Sequence, residues 1–152
     1  MPKLVIIQGP TGVGKSQVAI DLALRIDAEI INADSQQIYR HLDIGTAKPT
    51  VQERWQVPHH LIDAADPDED FNAALFRSLA LRCAREIESR GRKVFVCGGT
   101  GLYVKALLHG LFREAKKAAG VRSRLLNEIR DRGPAALHER LRVVDPESAA
   151  RI

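Results

Sequence analysis

The sequence predicts an α/β fold, a parallel sheet flanked by helices with an all-helical appendage at its C-terminal end. Three observations carry that expectation. Short apolar runs at residues 3–8, 29–33 and 93–97 alternate with longer stretches whose apolar residues recur at helical spacing, the pattern of parallel α/β units. Each run hands over to a glycine- or acid-bearing corner, at residues 9–16, 34–39 and 98–103. After Gly110 no stretch suits a strand, and arginine and alanine become frequent. The expected organisation is an α/β core over residues 1–112, incomplete as it stands, and a helical segment over residues 113–152.

The elements follow in order. Residues 3–8 form a continuous apolar strand of the kind buried on both faces, and a helix runs from the next corner to about Ile26. A second strand over residues 29–33 ends at Asp34. Residues 43–50 have turn chemistry and a proline break, after which Thr50 can cap a short helix containing Glu53, Arg54 and Trp55. Residues 58–63 read as a short extended piece. Adjacent His59 and His60 point to opposite faces of such a piece, which disfavours a shared metal and suits one packed and one hydrogen-bonded ring. Trp55 is expected to anchor a loop. A helix from about Asn72 to Ser89 carries Ala73, Phe76, Leu79, Ala80, Cys83, Ala84 and Ile87 on one face and stops at Gly91. The next strand, residues 93–97, turns through Gly98-Gly99-Thr100-Gly101 into a helix ending near His109. In the tail, helices are expected over 122–132 and 135–144, with Asp145 capping a third.

Composition bounds the function. With 152 residues and an apolar fraction of 45%, the chain can bury a real core. No apolar run approaches the ~20 residues of a membrane span, and Met1-Pro2-Lys3 leads directly into the first strand, so neither a membrane partner nor a targeting peptide is expected. Cys83 and Cys97 lack metal or redox spacing and read as free thiols of a reducing, cytoplasmic setting. Residues 1–112 carry 13 basic and 13 acidic side chains, whereas residues 113–152 carry 10 and 6. The whole net charge of +4 therefore lies in the tail, consistent with a polyanionic partner or with a solvated helical surface.

The chemistry begins at Gly9-Pro10-Thr11-Gly12-Val13-Gly14-Lys15-Ser16. This is G-x-x-x-x-G-K-[ST] between a strand and a helix, a P-loop. Its glycines let successive backbone N–H groups face an anion, and the helix N-terminus adds partial positive charge. Lys15 can neutralise phosphate, and the Ser16 hydroxyl can coordinate Mg²⁺. Alone, the motif speaks for ATP or another nucleotide in a P-loop NTPase-like core. In open α/β sheets ligands gather at the carboxyl ends of strands, so Asp34 should share the crevice. It can serve there as a base or metal partner, or cap the segment that follows. Gly98-Gly99-Thr100-Gly101 is either a tight turn or a second substrate-facing loop.

Together with Asn32-Ala33-Asp34-Ser35-Gln36-Gln37-Ile38-Tyr39, Asp43-Ile44-Gly45-Thr46-Ala47-Lys48-Pro49, His59-His60-Leu61-Ile62-Asp63 and Gly98-Gly99-Thr100-Gly101-Leu102-Tyr103, the P-loop resembles the tRNA dimethylallyltransferase family, over residues 3–112 and less distinctly in the tail. The resemblance implies transfer of a dimethylallyl group from its diphosphate to N6 of the adenosine just 3′ of the tRNA anticodon, with release of pyrophosphate. It implies Asp34 as general base at the adenosine amine and Thr100 as a substrate contact near the reaction centre. The diphosphate would lie on residues Gly9 to Ser16, with Mg²⁺ assisting, and Ser16 as its metal contact. Asp34, Ser35, Gln36, Gln37, Thr100 and Arg122 match positions that contact tRNA, whose anticodon stem-loop is the expected partner. No protein partner is expected. Family members are about twice this long, so the tail matches the start of an inserted helical tRNA-binding domain, and the isolated 152 residues are expected to be inactive. A P-loop small-molecule kinase is the competing reading, although residues 34–39 have no evident kinase role.

Overall fold

Strand and helix alternate as the apolar pattern requires. The computed structural model describes residues 2–111 and 120–152. Two units divide the chain, Met1–Leu111 and Phe112–Ile152. The first contains, in order, β1 (Leu4–Gln8), α1 (Lys15–Ile26), β2 (Ala28–Asn32), α2 (Val51–Gln56), β3 (His59–His60), α3 (Ala73–Ser89), β4 (Lys93–Gly98) and α4 (Gly101–His109). The four strands pair in the order β1-β4-β2-β3, and every pairing is parallel. β4 therefore inserts between β1 and β2, aligning Ile6 with Val96 and Val96 with Ile31.

Both faces of the sheet are covered, which is why its central strands are largely apolar rather than alternating, with Glu29 and Asn32 as the buried polar residues of β2. Successive residues leave a strand on opposite faces. Ile31, Val94 and Val96 pack with Phe76, Ala80, Ala84 and Ile87 of α3 and with Val104 and Leu107 of α4. Ile30, Phe95 and Cys97 face the other way, onto Ala19, Ile20 and Ala23 of α1. The Tyr103 ring stacks on Phe76 with centroids 4.4 Å apart. Both cysteines are free and buried, and burial pushes each thiol pKa up.

Local chemistry fixes the helix ends. Thr50 and Glu53 form a reciprocal capping box on α2, and Asn72 accepts from Ala74 N and Leu75 N at the start of α3. The expected extended piece at residues 58–63 narrows to the two-residue β3, paired to Ile30 and Ile31. One expectation fails: Trp55 is 83% exposed and anchors no loop. Its helix is six residues long and buries none of them, so nothing covers the indole.

The second unit holds α5 (Val121–Arg132), α6 (Pro134–Val144) and α7 (Pro146–Ala149). Gly133 ends α5 and Pro134 starts α6, the usual glycine–proline asymmetry. Asp145 caps α7 by accepting from Ser148 N at 3.0 Å. Arg122 lies exposed in the first turn of α5. Residues 112–119, which carry part of the basic surplus, lie outside the described residues.

Candidate functional site

The strand-to-helix corner after β1 is shaped to receive an anion. Gly12 and Gly14 hold φ of 86° and 80°, a left-handed conformation that L side chains resist. This curls the chain so that α1 opens into the loop, with Val18 N donating to Gly14 O at 3.1 Å as the first helical bond. Gly14 supplies no side-chain cap. The first-turn N–H groups thus lack the partner that most helices find in a side chain, and an anion can take that place. Lys15 Nζ donates to Pro10 O at 2.5 Å, folded back over its own loop.

The corner after β2 is built around Asp34. Its Oδ1 accepts from Gln36 N at 2.9 Å and from Gln37 N at 3.4 Å. One carboxylate oxygen caps the turn, and the two sequence alternatives for Asp34 are compatible because Oδ2 carries no hydrogen bond among the described residues. The third corner is pressed against this one. A Cβ on Gly98 would lie 2.2 Å from Ala33 O, so only glycine lets the β4 backbone approach β2 there. A Cβ on Gly99 would lie 3.6 Å from Gly9 O and 3.9 Å from Asp34 Oδ2, so the third corner lies beside both of the others. Thr100 joins them: its Oγ1 accepts from Ser35 N at 2.9 Å and donates to Ser35 Oγ at 3.2 Å. Its own N–H reaches Ala33 O at 3.1 Å.

A cavity of about 390 Å³ opens between these corners, within the usual range for a small-molecule site. Its P-loop wall includes Thr11, Gly12, Gly14, Lys15 and Ser16, and its sheet wall includes Asn32, Asp34 and Gly98. Gln36 and Gln37 line it too, whereas Ser35 and Thr100 do not. The far wall comes from Gly45, Thr46, Ala47 and Pro49, with Glu53 and His59 below. Sequence reasoning did not assign this far wall to the site. Two signs were available: the turn chemistry of the segment past Asp34, and residues 43–49 standing among the motifs that carry the family resemblance.

The far wall is pinned from behind. Gln37 is buried, and its amide donates to Thr46 O and Ala47 O, both at 3.0 Å. Lys48, with a side chain only 2% exposed, donates to Tyr39 O, Asp43 Oδ1 and Asp63 Oδ1. Arg54 adds bonds to Asp63 Oδ2 at 2.6 Å and Pro49 O at 2.9 Å. Burial would raise the Asp63 carboxyl, but Lys48 and Arg54 outweigh it and hold its pKa below the ordinary value. Burial likewise opposes the Lys48 ammonium, and Asp43 and Asp63 overcome it, leaving its pKa raised.

The expected split between a packed and a hydrogen-bonded histidine does not hold: both rings are half-buried and both are hydrogen-bonded, because β3 lies at the sheet edge and His59 faces the cavity. Burial lowers the His59 pKa, with Arg54 nearby adding to the effect. Its Nδ1 lies 2.7 Å from Val57 O; a carbonyl only accepts, so Nδ1 carries a proton. His60 Nε2 bonds Glu29 Oε2 at 2.6 Å. Glu29 is a buried carboxylate that the strand reading passed over; Arg90 and Arg92 close the cluster. Burial pushes its pKa up, yet Arg90 and His60 bring it below the ordinary value. Among the described residues no group of three or more His, Cys, Asp or Glu side chains is placed to hold a metal.

Two family models match the chain: isopentenyl transferase over residues 2–65 and IPP transferase over residues 37–152. The chain belongs to the IPP transferase family. It is 53% identical to tRNA dimethylallyltransferase 1 of Pelobacter propionicus, covering 100% of this chain and 49% of that protein. It is 50% identical to the tRNA dimethylallyltransferase of Desulfosudis oleivorans, covering 99% and 48%. This IPP transferase chain thus spans about half the length of the curated relatives it matches. The full-length tRNA isopentenylpyrophosphate transferase of Bacillus halodurans superposes with a TM-score of 0.73 at 46% identity, covering 100% of this chain and 50% of that one. A eukaryotic dimethylallyltransferase acting on tRNA gives a TM-score of 0.82 at 33% identity, over 99% of this chain and 38% of that one. No described helix is long and apolar enough to cross a membrane.

Proposed function

We propose that the protein transfers a dimethylallyl group from dimethylallyl diphosphate to N6 of the adenosine 3′-adjacent to a tRNA anticodon, releasing pyrophosphate. The observation that carries this reading is the placement of the P-loop and the Asp34 carboxylate on one cavity of about 390 Å³. The loop holds a charge that grows on the leaving diphosphate, and donors already oriented by the fold stabilise it without reorganisation. Lys15 and the first-turn N–H groups of α1 serve that end. Asp34 serves the other: the exocyclic amine is a weak nucleophile, and a fixed carboxylate accepts its proton as the N–C bond forms and the C–O bond to diphosphate breaks. Asp34 Oδ1 is committed to the turn, so Oδ2 is the proton acceptor.

Thr100 acts through its bonds to Ser35, holding the Asp34 turn against β4, and reaches substrate only beyond the cavity described above. Gln36 is exposed and lines the cavity, suited to a flipped-out base, whereas Ser35 is half-buried outside the lining. Gln37 has its amide donors committed to the far wall, leaving only its carbonyl oxygen for tRNA. Arg122 and the basic tail are assigned to the tRNA backbone. A magnesium ion fits this donor set, since Mg²⁺ keeps water and phosphate ligands and needs few from protein. Ser16 and the diphosphate would hold it, and it would neutralise charge on the leaving group. The reaction is assigned to the cytoplasm, where tRNA and free thiols coexist.

The test is direct. Full-length protein, dimethylallyl diphosphate and an unmodified anticodon stem-loop should yield RNA heavier by one dimethylallyl group. Consumption of ATP with phosphorylation of a small acceptor, and no change in the RNA, would favour a kinase instead.

A further inference from the structure

Lys48 poses a question that the P-loop and Asp34 do not answer. Its ammonium is withdrawn from solvent, 2% exposed at the side chain, yet it does not line the cavity. It lines instead a second hollow on the back of the 43–49 segment, with Arg40, Arg54, Asp43 and Asp63. That hollow is no anion site. Arg40 pairs with Asp66, Arg54 with Asp63, and Lys48 with both Asp43 and Asp63, so each of these cations is already neutralised. An ammonium has three donors, and Lys48 places them on three acceptors at 2.7 to 2.9 Å: Asp43 Oδ1, Asp63 Oδ1 and Tyr39 O. It has nothing left with which to bind a ligand.

What those bonds fix is the opposite wall of the active cavity. The residues on either side of Lys48, Ala47 and Pro49, both line it. Ala47 stands at φ 51° and Asp63 at φ 54°, left-handed conformations that a non-glycine residue keeps only where its surroundings over-determine it. The Lys48 bonds supply that constraint, and they run back to the base. Asp34 caps the turn through Gln36 N and Gln37 N; the Gln37 amide grips Thr46 O and Ala47 O; Lys48 returns to Tyr39 O, two residues after Gln37. This closed ring sets the distance between the Asp34 carboxylate and the wall facing it.

The geometry points to Lys48 as a positioning residue for the transfer step, one that acts through the 43–49 wall and the Asp34 turn without touching substrate; this rests on the prenyltransferase reading. A misplacement on the scale of an ångström costs about a hundredfold in rate when reacting groups must be aligned. The experiment compares wild-type, Lys48→Met and Asp43→Asn full-length protein. It measures kcat and KM for stem-loop prenylation, pyrophosphate affinity by calorimetry, and deuterium uptake of peptides spanning 40–50.

Lys48→Met should lower kcat at least tenfold, leave KM for RNA within about twofold, and keep pyrophosphate affinity. Uptake in 40–50 should quicken, with α1 and β4 unchanged. Asp43 is solvent-facing, so Asp43→Asn should fold normally and give the same pattern in weaker form, a kcat lowered at least twofold. Wild-type kinetics in either variant would overturn the proposal. So would a Lys48→Met loss in which pyrophosphate affinity and β4 protection fall together with kcat, because that is general unfolding. If Lys48→Met does not fold, Asp43→Asn alone decides. A wild-type protein that fails to prenylate would instead sink the transferase reading, while the uptake comparison would still show whether Lys48 holds the wall.

Discussion

On the proposed reading Asp34 divides its work between its two oxygens, Oδ1 capping the turn and Oδ2 taking the proton, and that division is testable. Asp34→Asn keeps an oxygen to cap Gln36 N but removes the proton acceptor. We expect transfer to fall by about 10²- to 10⁴-fold, the usual worth of a positioned base, with pyrophosphate binding unchanged by calorimetry. A variant as active as wild type would remove Asp34 from the chemistry. Gly98 tests the contact between corners. A methyl group there meets Ala33 O at 2.2 Å, so Gly98→Ala should cost stability on the order of 1–3 kcal/mol and reduce activity, read as a lower denaturation midpoint and a lower kcat. At this scale the sequence was legible wherever a residue does its work through type and local spacing, as in the P-loop glycines. It was not legible where a side chain is spent on a distant partner. Thr100 meets Ser35 across 65 positions, and Gln37 turns inward to the far wall although its neighbours suggest an exposed run.

The elements show the same boundary. Strand and helix positions follow from periodicity to within a residue or two except at β3, and the α2 capping box with the Asn72 and Asp145 caps marks three of the helix starts. The far wall was not assigned to the site because it is not an element at all: residues 43–50 have no periodicity, and their shape comes from the buried Lys48 ammonium and its partly exposed acidic partners. Glu29 shows what such a signal looks like, a charge inside an otherwise apolar strand that must find partners when buried. These pairs make stability depend on pH. Glu29 and Asp63 titrate below their ordinary values in the folded chain. Their contribution is therefore complete above the unfolded carboxylate pKa of about 4 and is lost as pH falls through the lower folded values. Melting temperature should be flat between pH 5 and 7 and drop below about pH 4, and Glu29→Gln should lose part of that drop. An unchanged acid limb would mean the cluster contributes nothing. Thr50→Ala, which removes half of the α2 capping box, should cost about 1 kcal/mol in chemical denaturation.

For the molecule as a whole, the parallel sheet explains why three corners distant in sequence meet. Parallel strands end on the same side, and β4 lies between β1 and β2, so the loop after β4 touches the loops after both. The sequence predicted the meeting from fold class alone; the strand order explains its tightness. The matched relatives are about twice as long as this chain. If one cavity joins a diphosphate cradle to a carboxylate base, the decisive measurement is single-turnover transfer of a labelled dimethylallyl group to an anticodon stem-loop, comparing full-length wild-type protein with Asp34→Asn. Label should appear on the adenosine next to the anticodon with the wild type, and little or none with the variant despite equal pyrophosphate affinity. Equal labelling by both proteins, or none by the wild type, would contradict it.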